Sequence, residues 1–120
     1  MGDVSTDRDR FDAYLPLRPV EFHILLSLAA GERHGYGIVQ DIQERGDAAV
    51  PDIGTMYRAL ARLVESALIA ASRTTESAAD RRINYRITPL GLRVAKAEAR
   101  RLEGLAHAAR LSGLLAKKAT

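Results

Sequence analysis

The apolar positions between residues 52 and 69 recur at intervals of three and four, which is the repeat of one face of an α-helix. The apolar residues in this repeat are Met56, Leu60, Leu63 and Val64. The opposite face would carry Thr55, Arg58, Ala59, Arg62 and Ser66. Small residues, a hydroxyl and two arginines suit contact with nucleic acid, but most amphipathic helices expose charge only to stay solvated, so both interpretations stand at this point. Asp52 is placed to cap the helix.

Two further helices are predicted upstream of this one. Pro19 suits the first turn of a helix, so the first helix is predicted over about residues 19–30. Its inward stripe would be Ile24, Leu25 and Leu28. The second helix would begin in the turn His34-Gly35-Tyr36-Gly37 and stop at Gly46. Gly35 allows a close approach of its backbone, either to the next helix or to a DNA phosphate.

A β-hairpin is predicted after the third helix. Leu68–Ser72 and Ile83–Ile87 are short apolar or alternating runs, and the polar segment between them ends in Arg81 and Arg82. Three short helices followed by a two-stranded wing form a winged helix-turn-helix, a mainly α fold. In that fold the third helix enters the major groove and the wing touches the DNA backbone or the minor groove, which favours the nucleic-acid interpretation.

A long helix is predicted to close the chain, with Thr88 as its cap and Pro89 in its first position, running to about Leu115. Its heptad seam is Leu92, Ala95, Ala99, Leu102, Ala106, Ala109 and Gly113. Because about 25 residues span about 38 Å, the three-helix unit cannot cover this helix, and we expect a homodimer. Burial against residues 11–17 of the same chain is the alternative. The predicted dimer interface is Phe11, Tyr14, Leu15, Leu92, Ala95, Ala99, Leu102, Ala106, Ala109, Leu111 and Leu114.

Composition limits the alternatives. The chain has 120 residues, of which 47% are hydrophobic and only 5% aromatic, as expected for one domain of closely packed helices. We expect a disordered arm over 1–10, a winged-helix domain with an N-terminal packing segment over 11–88, a dimerisation helix over 89–116 and a tail over 117–120. Cysteine is absent, no apolar run is long enough to span a bilayer, and the acidic N-terminus is unlike a signal peptide. A soluble, cytoplasmic protein without a membrane partner is predicted.

The charge distribution adds to this picture more than the net charge of +3. Residues 52–101 contain ten Arg or Lys against five Asp or Glu, a basic block that suits polyanions, although a solvated surface is an equal alternative. The histidines are scattered without metal-ligand spacing: they are His23, His34 and His107. With no nucleophile motif and no apolar carboxylate pair, we predict neither an enzyme nor a cofactor or metal. The remaining rival is a protein-interaction module that has lost DNA binding.

The sequence resembles the PadR family of bacterial transcriptional regulators, in its short members with a single C-terminal helix. The resemblance is carried by His34-Gly35-Tyr36-Gly37-Ile38, Gly54-Thr55-Met56-Tyr57-Arg58-Ala59-Leu60, Arg62-Leu63, Leu68-Ile69, Arg81-Arg82, Tyr85-Arg86-Ile87-Thr88 and Gly91. It implies a winged-helix homodimer that binds an inverted-repeat operator, usually represses its target genes, and in several members releases DNA when a small molecule binds. Ala67 and Asn84 replace a glycine and an aromatic residue that are frequent in the family. Tryptophan, on which some members stack drugs, is absent, so that stacking mode has no residue here and the identity of a small-molecule effector is open.

The predicted partner is double-stranded DNA. The predicted DNA-binding residues are Gly35, Tyr36, Thr55, Tyr57, Arg58, Arg62, Arg81 and Arg82. Arg58 could pair with a guanine edge, whereas Arg81 and Arg82 in the wing should add affinity that does not depend on base sequence. Tyr36 and Tyr57 are equally explained as packing residues. An effector pocket, if one exists, is expected near Phe11 and Tyr14 beside Leu102 or Ala106, which are also explained as dimer core.

Overall fold

The computed structural model describes residues 11–46, 51–73 and 83–117. Four α-helices and a small antiparallel sheet account for most of these residues, which confirms the predicted mainly α winged-helix fold. In chain order the elements are a 3-10 helix at Asp12–Tyr14, α1 (Pro19–Ala29), β1 (Arg33–His34), α2 (Gly35–Arg45), α3 (Ile53–Glu65), β2 (Ile69–Arg73), β3 (Ile83–Ile87) and α4 (Pro89–Leu111). The predicted disordered arm, residues 1–10, lies outside the described residues.

The helix boundaries follow the capping residues seen in the sequence. Pro19 begins α1, and the Glu21 carboxylate accepts a hydrogen bond from the Arg18 backbone N–H at 3.2 Å. Gly46 ends α2 with φ of 77°, a left-handed conformation that glycine adopts without steric cost. Asp52 caps α3 by accepting a hydrogen bond from the Thr55 backbone N–H at 2.8 Å.

The sheet has three strands in the order β1, β3, β2, where the sequence predicted two. β2 and β3 form the predicted hairpin, with Ile69 opposite Ile87 and Arg73 opposite Ile83. β1 adds an edge strand in which Arg33 pairs with Tyr85. A two-residue polar strand has no alternation to reveal it, so only the pairing with β3 defines it. The predicted tip of the hairpin falls on residues 74–82, which lie outside the described residues.

One core joins all the helices to the sheet, with the apolar side of α1 at its centre. Its buried members include Ile24, Leu25, Leu28, Ile38, Ile42, Met56, Leu60, Leu63, Leu68, Ile69, Tyr85 and Val94. Two assignments on α3 were wrong. Ala59 is fully buried instead of facing outward, and Val64 is 38% exposed instead of facing the core. Met56, Ala59, Leu60 and Leu63 follow one another at the spacing of a single helical face, so the small Ala59 fills the stripe that Val64 only borders.

The first half of α4 packs on the same core. Thr88 caps α4 by accepting a hydrogen bond from the Gly91 backbone N–H at 2.9 Å, as predicted. Gly91 lies so close to the hairpin that a Cβ built on it would be 1.9 Å from the Leu68 carbonyl oxygen. Val94 and Glu98 are buried one and two turns further on. The helix ends at Leu111, four residues before the predicted end.

Residues 11–17 pack against their own chain. Phe11 is only 5% exposed and belongs to the core, and Leu17 is 8% exposed. The backbone N–H of Leu17 donates to the buried Glu98 carboxylate at 3.2 Å, and Arg101 pairs with the same carboxylate through Nε at 2.6 Å. This contact fixes the N-terminal segment on α4, as in the intramolecular alternative for residues 11–17.

A polar cluster connects α1 with α2. The buried Ser27 hydroxyl donates to the Asp41 carboxylate at 2.6 Å, and Arg45 donates to the same carboxylate at 2.8 Å. Arg33 lies 3.6 Å from Asp41 and also donates to the Ser27 carbonyl oxygen at 3.1 Å. The Ser27 hydrogen bond, followed by the two arginine charges, holds the pKa of the Asp41 carboxyl below its usual value. The cluster therefore ties α1 to α2 through side-chain hydrogen bonds.

Candidate nucleic-acid interface

The outer face of α3 presents exposed polar side chains. Tyr57 is 47% exposed and Arg58 is exposed, while Met56 and Leu60 on the opposite face are buried in the core. The apolar face therefore fixes the helix, and the outer face presents a phenol and a guanidinium to solvent. A recognition helix has this division between a fixed inner face and a polar outer face.

Three side chains on the first turns of α3 form a hydrogen-bonded chain. The Thr55 hydroxyl donates to the Asp52 carboxylate at 3.1 Å, and Arg58 Nη2 donates to the Thr55 hydroxyl oxygen at 3.2 Å. The hydrogen bonds from Thr55, first from its backbone and then from its hydroxyl, hold the pKa of the Asp52 carboxyl below its usual value of 3.8. The carboxylate is ionised at neutral pH, and the Arg58 guanidinium is oriented along the helix.

Gly54 leaves open the space that the Arg58 guanidinium occupies. A Cβ built on Gly54 would lie 3.1 Å from Arg58 Nη1 and 3.4 Å from Asp52 Oδ1. A side chain at this position would compete for the space that the guanidinium occupies, so the glycine lets the arginine fold back over the first turn.

Arg62 has a different environment from Arg58. Its Nε donates to the Glu21 carboxylate on α1 at 3.1 Å, and its side chain is 38% exposed. Glu21 is also the residue that accepts the Arg18 backbone N–H, so Arg62 ties α3 to the first turn of α1. The structure places Arg62 on the same helix as Arg58 but in a contact between helices, a partner that sequence spacing did not reveal.

Gly35, the first residue of α2, lies next to the Tyr57 side chain of α3. Gly35 is buried, and a Cβ built on it would lie 2.8 Å from the Tyr57 hydroxyl oxygen. Close packing against α3 is therefore what this glycine permits, which is the first of its two alternatives. Tyr36, its neighbour, is 69% exposed. Burial, followed by the nearby Tyr57, raises the pKa of Tyr85 on β3.

The wing contributes basic residues that the sequence analysis did not select. Arg73 at the end of β2 and Arg86 on β3 are both exposed. Alternation along a strand could have indicated Arg86, because Tyr85 beside it points into the core. The predicted wing residues Arg81 and Arg82 lie outside the described residues.

The second half of α4 has an apolar surface exposed to solvent. Leu102 is 38% exposed, Leu105 56% and Leu111 77%, and no residue of α4 beyond Glu98 is buried. Of the other residues predicted for a dimer interface, Leu92, Ala99 and Leu114 are exposed, whereas Tyr14, Leu15, Ala95, Ala106 and Ala109 are partly buried. Leu105 was absent from the prediction because it lies outside the heptad seam.

In residues 11–46, 51–73 and 83–117, no three His, Asp or Glu side chains are grouped so that they could hold a metal ion. None of the helices in these ranges has the length and hydropathy needed to cross a bilayer.

Comparisons with known proteins agree with this geometry. The sequence model of the transcriptional regulator PadR-like family matches residues 24–97. A PadR family transcription regulator from hypervirulent Clostridium difficile has a similar fold, with a TM-score of 0.69 and 24% identity over 77% of this chain and 95% of that one. A transcriptional regulator from Clostridium thermocellum has a TM-score of 0.64 and 27% identity over 91% of this chain and 99% of that one.

A third similar structure is described as a conserved protein and a potential transcriptional factor. It has a TM-score of 0.65 and 32% identity, over 79% of this chain and 82% of that one. No curated protein matches the sequence.

Proposed function

Since the chain belongs to the PadR-like family of transcriptional regulators, it is a DNA-binding regulator, and we propose that it acts as a homodimer that represses its target genes. The proposed operator is an inverted repeat, because a two-fold dimer presents two copies of α3 to two half-sites about one helical turn apart. Members of this family and the similar structures are transcription regulators, which are generally not enzymes.

The observation that supports DNA contact most directly is the outer face of α3. Arg58 and Tyr57 are exposed there, on a helix whose opposite side is fixed in the core. We propose that α3 enters the major groove and that Tyr36, at the start of α2, and Tyr57 contact the DNA backbone. Gly35 is proposed to bring these two tyrosines together, because its lack of a Cβ leaves room for the Tyr57 hydroxyl.

Binding and repression are tested separately. We expect the full chain to shift duplex DNA from its own promoter region in a gel at low salt, and removal of its gene to raise transcription from that promoter. A lack of binding at low salt would favour the rival protein-interaction module. Binding without a rise in transcription would contradict repression and leave DNA binding intact.

Arg58 and Arg82 are proposed to have different roles in DNA recognition. Arg58→Ala should reduce the preference for operator over random DNA, because a bidentate contact with guanine is worth about 1–3 kcal/mol of discrimination. Arg82→Ala, at a position that the sequence predicts to be in the wing, should weaken binding to both DNAs alike and reduce the salt dependence of binding, as expected for a phosphate contact. Titration of each variant with both DNAs at fixed salt is the measurement, and equal losses on both DNAs in both variants would contradict this division.

Dimerisation through α4 is supported by its length and by its exposed leucines. The 23 residues of α4 span about 34 Å, and the chain's own core covers only the first half. We expect Leu102→Glu to produce monomers, measured by sedimentation equilibrium at several protein concentrations. His107→Glu is the matched control, because residue 107 lies about 140° around the helix from residue 102. An unchanged dimer in Leu102→Glu would place the interface elsewhere.

Release of DNA by a small molecule is a prediction from the family resemblance alone. Phe11, one wall of the expected effector pocket, is only 5% exposed because the chain's own core already covers it. A ligand at this place would have to displace core contacts. We expect a binding molecule to change both the thermal midpoint and the affinity for DNA, and a molecule that changes neither is not an effector.

A further inference from the structure

We propose that Asp52 and Thr55 are positioning residues that set base preference through Arg58, and that Thr55 does not itself donate to a base. This inference rests on the proposed function, because it specifies how the outer face of α3 would recognise DNA. It also revises the prediction that Thr55 is a direct DNA contact.

The direction of the hydrogen bonds follows from the chemistry of the three groups. An ionised carboxylate can only accept hydrogen bonds, and a guanidinium can only donate them. The Thr55 hydroxyl lies 3.1 Å from the Asp52 carboxylate and 3.2 Å from Arg58 Nη2. Its single proton is therefore given to Asp52, and a lone pair on its oxygen receives Arg58. No proton remains for Thr55 to donate to a base edge.

These hydrogen bonds restrict the conformations of the Arg58 side chain. A free arginine side chain has many rotamers, and ordering it on DNA costs conformational entropy. Holding the guanidinium through one nitrogen in the free protein reduces this cost and fixes the direction in which its other nitrogens point. The expected result is selectivity between bases, because a bidentate contact depends on the angle of the guanidinium plane.

Gly54 provides a second, independent perturbation of the same group. A methyl group at this position would lie 3.1 Å from Arg58 Nη1, at the mobile end of a long side chain, so the guanidinium must move while the helix backbone need not. Alanine also favours a helix over glycine. Gly54→Ala should therefore raise the stability of the protein and lower its selectivity, two effects that a purely structural role of this turn would not separate.

The test uses the full chain and a duplex that the wild-type protein selects from a random pool, compared with a scrambled duplex of equal composition. The measured quantity is the ratio of the two affinities at fixed salt. Thr55→Val, which keeps the shape and removes the hydroxyl, should lower the ratio by about fivefold or more, and Thr55→Ser should restore it. In an Arg58→Ala background, Thr55→Val should change the ratio by less than about twofold, because Thr55 acts through Arg58.

Asp52→Asn separates the cap from the positioning role. Asparagine caps a helix as well as aspartate does, so the fold should be kept. Its amide can accept the Thr55 backbone N–H but offers a donor to the Thr55 hydroxyl, which reverses the second hydrogen bond. We expect this variant to have a lower ratio of the two affinities. Its affinity for the scrambled duplex should be equal or higher, because a negative charge near the phosphates has been removed.

The outcomes distinguish this inference from the proposed function. A wild-type protein that binds neither duplex overturns both. If the wild type discriminates, the inference is overturned by a Thr55→Val ratio within about twofold of wild type, or by an equal fall with and without Arg58. Circular dichroism and the thermal midpoint of each variant identify a loss of selectivity that is caused by unfolding. In that case the selectivity of Gly54→Ala tests the inference, because this variant is expected to be at least as stable as wild type.

Discussion

The backbone conformation of Ala67 predicts whether replacing this residue with glycine stabilises or destabilises the protein. Ala67 follows α3 with φ of 64°, in the left-handed region that glycine adopts without steric cost. Two hydrogen bonds close the helix around it, from the Ala67 N–H to the Val64 carbonyl oxygen and from the Leu68 N–H to the Leu63 carbonyl oxygen, both at 3.0 Å. The Ala67 side chain is exposed, so replacing it with glycine removes no core contact.

The expected size of the effect follows from two opposing contributions. A residue with a Cβ in the left-handed conformation costs about 1–2 kcal/mol, which glycine does not incur. Glycine in turn gives the unfolded chain more freedom, which costs about 0.4–1 kcal/mol. Ala67→Gly should therefore raise the free energy of unfolding by about 0.5–1 kcal/mol, or the midpoint by roughly 2–4 °C for a chain of this size.

Ala61→Gly is the matched control, because Ala61 is also exposed but lies within α3. There the same substitution should lower the free energy of unfolding by about 0.5–1 kcal/mol. Denaturant unfolding of both variants at one protein concentration measures the two values. If both variants shifted in the same direction, the left-handed conformation would not be what determines the sign.

Further predictions concern packing and pH. Gly91→Ala should destabilise the protein by about 3 kcal/mol or more, because the added Cβ would meet the Leu68 carbonyl oxygen at 1.9 Å. Gly104→Ala should instead stabilise the protein by about 0.5–1 kcal/mol, because a Cβ at that position would have no atom within 4 Å. Denaturant unfolding would contradict this prediction if both variants changed the free energy of unfolding in the same direction. Asp41 has a folded pKa below its ordinary value of 3.8, so its ionised form stabilises the fold above about pH 4. The stability advantage of wild type over Asp41→Asn should be constant near neutral pH and shrink as the pH falls below 3.8, and unfolding curves at several pH values would contradict this if the advantage grew.

The sequence was sufficient to predict the elements that repeat or begin with a distinct cap. The periodicity of α3, the caps Asp52 and Thr88, and the hairpin strands were all predicted within a few residues, because each depends on neighbours in the chain. β1 was missed because only its pairing with β3 defines it, and there Arg33 lies opposite Tyr85, more than fifty residues away. Ala59 was misplaced because a small residue adds little to a hydrophobic pattern even when it fills the centre of the face.

Buried charge was the feature that sequence reasoning was least able to predict. Glu98 lies within the buried face of α4, between Val94 and Arg101, and a charged residue in a helix is ordinarily assigned to solvent. Its burial becomes acceptable only because Arg101 and the Leu17 backbone N–H both contact the carboxylate. One of these partners is 81 residues away, so the reason for the burial does not exist until the chain has folded.

The two arginines on the outer side of α3 illustrate how the same residue type, one turn apart, acquires different roles. Arg58 is held from within its own helix by Thr55 and Asp52, at spacings of three that the sequence contains. Arg62 is held from outside by Glu21 on α1. A change at Arg58 should therefore alter what the helix recognises and leave its position unchanged, whereas a change at Arg62 should alter how α3 sits on α1. The second change would move every side chain of the outer face together, so its effect on DNA binding should extend to all sequences alike.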